Sequence, residues 1–304
     1  MKKLKRVFVL FGIVLVLQSC QNDPVEIQNS DVVITGYQIV NESEYTGEGG
    51  AHTATAITTA VLNNNKLQSL NLEVFADGST VSTDVTFTQF NYQNDLLISR
   101  IKTGTSGVLE ETYFYYDSNS RLVGGKIALY GAEDFGYWRF VYQSENQVLV
   151  QRGNAMYDDP TAEFYTKVIV NFDENDNIES YQRVDEISGI YDSLVSNVFV
   201  NDNLVSSSYN GVNSSFQYSP IVNNMNYIEE RTYGKRSLML INAPGFGTMD
   251  SENNVAFTNP KNLSFVQGNE ATYTIGSNGF ILSQVSTTDE YDVTSVKTIT
   301  YYFE

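Results

Sequence analysis

The chain has 304 residues, of which 36 are acidic and 18 basic, with one histidine and one cysteine. So large an acidic excess repels phosphate backbones and excludes nucleic acid as a natural partner. A lone cysteine excludes an intramolecular disulfide framework. With only one histidine beside it, a Cys/His zinc site is excluded too.

At the start of the chain, Lys2, Lys3, Lys5 and Arg6 precede an apolar run from Val7 to Leu17. A membrane-spanning helix needs roughly 20 apolar residues, so this run is too short to span and fits a signal peptide. The segment Leu17-Gln18-Ser19-Cys20 resembles a lipobox. That resemblance implies a signal peptide over 1–19, acylation of Cys20 and a polar tether over 20–30. Gln21-Asn22-Asp23-Pro24-Val25-Glu26 resembles the acidic export signals of Bacteroidota lipoproteins. It implies lipid anchoring in the outer membrane on the cell surface, with a periplasm-facing anchor as the alternative. Beyond residue 20 the chain has 14 basic residues against 36 acidic ones, a formal charge of −22.

Residues 31–304 read as a single all-β domain. There are 21 Tyr and 17 Phe but only five Pro, a composition that favours strands. Short alternating runs recur, such as Phe164 to Phe172. There Phe164, Val168, Val170 and Phe172 are expected on one face, with Tyr165, Lys167 and Asn171 on the other.

A turn signature repeats along the chain: an apolar or aromatic residue, three to five polar residues, then an aliphatic or aromatic one. It begins at Leu62, Tyr92, Tyr116, Tyr142, Phe172 and Val200, and again at Ile275, with steps of 30, 24, 26, 30 and 28 and then a jump of 75. Asn, Asp, Gly and Ser suit such turns because they tolerate left-handed backbone or bond to their own main chain. A second reversal midway through each period makes each unit a hairpin. The fold expected is a long antiparallel up-and-down meander of about 14 or more strands, curled into an open or flattened barrel. Tight turns gather on one edge and longer loops on the other. The jump coincides with an insertion at about 219–262, rich in Pro and Gly and read as irregular: a functional loop or a lid over an open end.

The turn Tyr115 to Leu122 resembles the Tyr-Asp repeats of large secreted shell-forming proteins. Gln217-Tyr218-Ser219-Pro220, Pro260-Lys261-Asn262-Leu263, Ala271 to Ile275, Gly279-Phe280 and the closing Thr298 to Glu304 resemble uncharacterised Bacteroidota lipoproteins. That family's domain of unknown function implies a porin-like β-meander and no functional residues.

No catalytic constellation or cofactor motif stands out. His52 lies among Gly49, Gly50, Ala51 and Thr53 and reads as a solvated loop residue. Asp173-Glu174-Asn175-Asp176-Asn177 opens like a calcium loop, but Ile178 stands where that loop needs Gly and Val184 where it needs Glu. It reads as a polar hairpin, and no metal is expected. Adjacent carboxylates such as Glu110-Glu111 and Glu229-Glu230 point to opposite faces of a strand. Asp192-Ser193-Leu194 fits a loose O-glycosylation pattern.

Aromatic residues are the ligand-facing candidates. Trp138, Phe140 and Tyr142 alternate on one face of a strand with Tyr137 opposite, and Tyr157, Asp158 and Asp159 mark a nearby loop. Such groups can stack on sugars, although the same pattern also packs a β core. The function expected is a non-catalytic binding or interaction module, monomeric, for a glycan, a peptide or an outer-membrane partner. A polysaccharide hydrolase using paired carboxylates is the alternative, and an integral porin-like barrel the third reading.

Overall fold

The computed structural model describes residues 32–46, 52–129, 136–184, 194–243, 262–264, 270–290 and 293–304. The first part of the chain is a run of hairpins: β1 (Ile34–Tyr45), β2 (His52–Asn63), β3 (Lys66–Ala76), β4 (Asp84–Gln93), β5 (Leu96–Gly104), β6 (Gly107–Tyr116) and β7 (Leu122–Leu129). It continues through β8 (Gly136–Tyr142), β9 (Gln147–Gly153), β10 (Phe164–Phe172), β11 (Ile178–Val184), β12 (Val195–Val200), β13 (Asn203–Tyr209) and β14 (Val212–Ser215). Then come β15 (Tyr218–Val222), the helices α1 (Asn224–Tyr233) and α2 (Lys235–Asn242), and β16 (Asn262–Ser264). The last three strands are β17 (Glu270–Ile275), β18 (Ile281–Glu290) and β19 (Val293–Phe303).

Seventeen of these strands form one antiparallel up-and-down sheet that is not closed into a barrel, while β15 and β16 pair separately. Registered ladders run from β17 through β18 and β19 to β1, and from there through consecutive strands to β14. The expected all-β meander is what the chain builds.

The tight turns form for the reason their sequences suggest. Asn64-Asn65, Asn94-Asp95 and Asn201-Asp202 occupy left-handed backbone as consecutive pairs, with φ between 49° and 68°, the geometry of a two-residue hairpin loop. The longer turns rest on side chains. Asp173 Oδ1 accepts the Asn175 and Asn177 amides at 2.8 and 2.9 Å, and its Oδ2 accepts Asn177 Nδ2 at 2.9 Å. Asp117 plays the same part for Asn119 and Arg121 at 2.9 and 3.0 Å. The calcium-like segment is therefore a hairpin turn whose first carboxylate is occupied by its own backbone.

A bulge sits just before most of these turns, at Val61/Leu62, Asn91/Tyr92, Tyr115/Tyr116, Asn171/Phe172 and Val198/Phe199. Bulges bend a strand and increase its twist, so their repetition along one edge curls the sheet. One more bulge, between Phe164 and Thr166, corrects an expected register. Phe164 lies with its ring centroid 3.7 Å from the Arg139 guanidinium, on the face opposite Val168 and Val170.

The 219–262 segment is not irregular throughout, since α1 and α2 lie within it. They close the tight-turn end of the sheet. Asn65 Nδ2 donates to the Tyr227 hydroxyl at 3.3 Å, and the Leu67 amide donates to Thr232 Oγ1 at 3.1 Å. Lys235 pairs with Asp202 at 2.9 Å, while Arg236 pairs with Asp176 and donates to the Glu145 carbonyl at 2.6 Å. Asn224, fully buried, donates to the Ile281 carbonyl at 2.8 Å and accepts its amide at 3.2 Å. From β18 to β13 there are fourteen strand steps, about 67 Å if flat at about 4.8 Å each. A 10-residue helix is only about 15 Å long. One short helical pair reaches both regions only because the sheet wraps around it.

The core is a band at this end. Leu62, Leu67, Phe90, Leu97, Phe114, Leu122, Phe140, Val148, Val170, Phe172 and Ile178 from the strands meet Ile228, Met239 and Leu240 from the helices. Every described ladder and core residue lies within 32–304, so a 21–304 fragment keeps the whole described fold. Replacing Asn224 with Ala leaves a buried amide and a buried carbonyl unpaired, about 1–3 kcal/mol each. Urea unfolding should show Asn224→Ala destabilised by about 2–5 kcal/mol, against about 1 kcal/mol for the helix-cap variant Asn223→Ala. Equal midpoints for the two variants would show that this contact does not hold the helices in place.

Candidate functional site

The inner face of the sheet changes character with height. Next to the helices it is apolar; one or two residues further up each strand it becomes polar and charged. The row directly across β3–β6 is Leu70, Thr88, Lys102, Glu110. The row nearer the helices includes Phe90, Arg100 and Thr112, and the row farther away includes Leu72, Thr86 and Gly104.

These rows wall a cavity of about 400 Å³ floored by Met225, Ile228, Glu229 and Tyr233 of α1 and bordered by Tyr37 and Thr58. That volume lies within the ordinary range of small-molecule sites. The lining is divided: Leu67, Leu70, Leu72, Phe90, Met225 and Ile228 are apolar, whereas Arg100, Lys102, Glu110 and Glu229 carry charge.

The charged groups are not equivalent. Arg100 forms an ion pair with Glu110 and donates to the Tyr233 hydroxyl at 3.4 Å. Burial works against the Arg100 charge, but the adjoining Tyr233 and Glu110 outweigh it and the guanidinium pKa is raised. Glu110 also accepts from Thr112 Oγ1 at 3.1 Å. Lys102 makes no hydrogen bond or ion pair among the described residues.

Tyrosines ring the floor. Burial pushes the Tyr37 hydroxyl up to about 12, with the charges of Glu229 and Tyr233 adding to it. Burial raises Tyr233 too, against the opposing pull of Arg100. The Tyr92 hydroxyl donates to the Leu67 carbonyl at 2.6 Å and the Tyr116 hydroxyl to the Leu97 carbonyl at 3.1 Å. The aromatic residue that opens each of these two turn signatures thus ties its hairpin to the preceding one.

The aromatic candidates from the sequence do not assemble into one site. Trp138 and Phe140 do share a face, but it is the inner one, and both are only 2% exposed. They pack the core because alternation along β8 points them inward. Tyr142 lies at the tight-turn end beneath Arg121, whose guanidinium is 4.5 Å from its ring centroid. Tyr137 is on the outer face beside Lys126, 5.8 Å from its ring centroid. Tyr157 folds back onto that outer face and stacks on Tyr115 at 5.3 Å. It fills the space over Gly124, where a Cβ would meet its ring at 2.5 Å. Asp159 caps its own loop, accepting from the Thr161 amide at 2.8 Å and hydroxyl at 2.7 Å; those bonds lower its pKa. Asp158 lies close enough to Tyr115 for its charge to help raise that hydroxyl's pKa, behind burial and the neighbouring tyrosines.

His52 opens β2 rather than lying in a loop; it is exposed and 3.5 Å from Asp77. Cys20, the tether, Gly131 and Asp192-Ser193 lie outside the described residues. No group of three or more metal-ligating side chains occurs among the described residues. The cavity residues escaped sequence reasoning because Arg100, Lys102, Glu110 and Glu229 meet only through strand register and the docking of α1. The one local signal is four charges, Arg100, Lys102, Glu110 and Glu111, in two strands otherwise rich in Leu, Ile, Thr and Tyr.

No protein-family model matches the sequence, and no curated protein does. Among solved structures, the chain is similar to a porin-like protein from Bacteroides uniformis at 13% identity and a TM-score of 0.39, covering 89% of this chain and 98% of that one. It is also similar to a porin-like protein from Bacteroides vulgatus at 10% identity and a TM-score of 0.26, covering 90% of this chain and 99% of that one. Likenesses this distant carry no function across.

The tyrosines give the pH dependence a sign. Tyr37, Tyr116, Tyr142 and Tyr181 are held at about 12, chiefly by burial, against about 10 in an unfolded chain. The folded state therefore binds these protons more tightly. Their stabilisation is complete below pH about 10 and is lost as pH rises through about 12. Tyrosinate absorbance should rise in two steps, the later one together with loss of the strand circular dichroism signal. A single step near pH 10 with the fold intact would contradict the burial of these hydroxyls.

Proposed function

We propose that this chain is an outer-membrane lipoprotein, anchored through Cys20 and displayed on the cell surface, and that its domain is a non-catalytic binding module holding a small ligand inside the curled sheet. The observation that carries this reading is the cavity floored by α1, where apolar, hydroxyl and charged side chains face one partly open space. Such mixed linings, with a few placed polar groups on an apolar background, are typical of ligand sites. Polar fragments of a glycan or a peptide match it in chemistry.

The outer face supports an anchored domain over an integral barrel. Strand register places Glu73, Glu111, Lys126, Arg139 and Lys167 outside, in the body of their strands. A Lys or Arg facing lipid at mid-bilayer costs about 2–4 kcal/mol. A hydrolytic reading has one feature in its favour: Glu110 and Glu229 line the same cavity. Glu110, however, is held by Arg100 and Thr112, so its carboxylate is already engaged within the wall.

Two measurements test the proposal. Cells fed a labelled fatty acid should label the wild-type chain and not Cys20→Ala; label on the variant would remove the anchor. The 21–304 fragment, applied to glycan and peptide arrays and to polysaccharide hydrolysis assays, should bind without turnover. Turnover abolished by Glu110→Gln or Glu229→Gln would replace the binding reading with the enzymatic one.

A further inference from the structure

We infer that the cavity binds an amphiphilic organic anion, its anionic head on Lys102 and its apolar portion along Leu70, Leu72, Phe90 and Met225; this rests on the binding role proposed above. The argument begins with charge. The chain carries a large acidic excess, yet cations stand on the inner face of its sheet.

Within the cavity Arg100 and Glu110 neutralise one another. Lys102, directly across the strand pair from Glu110, has no ion-pair or hydrogen-bond partner among the described residues, and Glu229 is the other carboxylate on the lining. Across the inner face, Arg152 on β9 lies opposite Trp138 in register, its guanidinium 5.9 Å from the ring centroid. Its Nε is buried with no hydrogen-bond partner among the described residues. Arg152 lies outside the cavity; within it, the half-buried Lys102 ammonium is the cation that an incoming anion can meet without displacing an existing partner.

The apolar half of the lining fixes the rest of the ligand. Leu70 on β3 and Lys102 on β5 lie in one cross-strand row, two strand spacings or about 10 Å apart. Thr88 stands between them, and Phe90 and Leu72 lie on either side of that row along the strands. A compact inorganic anion would leave the leucines and Phe90 uncovered. A carboxylate on an aliphatic or aromatic body covers them and reaches the ammonium.

The experiment uses the 21–304 fragment with octanoate, octylamine and octanol, which share a tail and differ in head charge, followed by calorimetry. Octanoate should bind, the other two at least tenfold more weakly. Lys102→Met, which keeps the aliphatic stem, should lose at least tenfold in octanoate affinity, while Lys102→Arg retains it. Thermal melts matching wild type confirm that both variants are folded. Equal binding of octylamine, or unchanged octanoate affinity in Lys102→Met, overturns the assignment. A neutral or cationic array compound bound in this cavity while octanoate is ignored also overturns it, and leaves the binding role standing. Silence of both octanoate and the arrays removes the binding role and the anion assignment together.

Discussion

A sheet that forms a single curled layer has one inner face and no second layer to cover it, so something must dry that face from an end. Here α1 and α2 do so. They are short, but their contacts reach the β2–β3, β8–β9, β10–β11, β12–β13 and β17–β18 turns. Without them the apolar band formed by Leu62, Leu67, Phe90, Phe114 and Phe172 would face water. Hydrophobic burial holds the band together, and the polar contacts decide its geometry. Asn224 bonds both backbone groups of Ile281, as a further strand would. The ion pairs of Lys235 and Arg236 are partly exposed, so they set position more than they add stability.

From that constraint the cavity follows. The strands of β1–β5 run 9 to 12 residues, about 30–40 Å at 3.3 Å per residue. The helices fill only the lower part of the interior. Above them, inward positions need not be apolar, and the sequence there turns to Thr, Lys, Glu and Arg. The same alternation that turns Phe90 and Leu70 inward aims Arg100 and Lys102 at the space above α1.

The meander was legible in the sequence because its turns are local. Asn64-Asn65 or Asp173 to Asn177 specify left-handed backbone or side-chain capping within a few residues, and period-two alternation needs no distant partner. The helices were not legible. The helix α1 buries Asn224, Asn226 and Thr232 together with Ile228, so it lacks the apolar stripe by which helices are recognised. Asn224 and Thr232 are inside because they bond the backbone of Ile281 and Leu67, which a hydropathy pattern cannot register. Aromatic residues misled for the opposite reason. Trp138 and Phe140 alternate as a binding strip would, and as a core strand must. Only the position of β8, whose inner face joins the core band, separates the two. Phe164 departs from the face that alternation predicts because the bulge that turns it over follows from pairing with β9.

Arg100 joins the two halves of this design. One of its guanidinium nitrogens donates to Tyr233 on the floor and another pairs with Glu110 on the wall. The floor and the wall of the cavity are thereby linked through a single planar group, whose fork suits two partners at once. Because Glu110 is engaged by Arg100 and Thr112, it is turned from Lys102, its direct cross-strand neighbour. The electrostatics of the cavity thus depend on the docking of α1: Tyr233 holds Arg100, Arg100 holds Glu110, and Lys102 faces the interior without an ion-pair partner among the described residues, with Glu229 of α1 as the fourth charge on the lining. A contact that serves the stability of the plugged end also sets the charge presented above it.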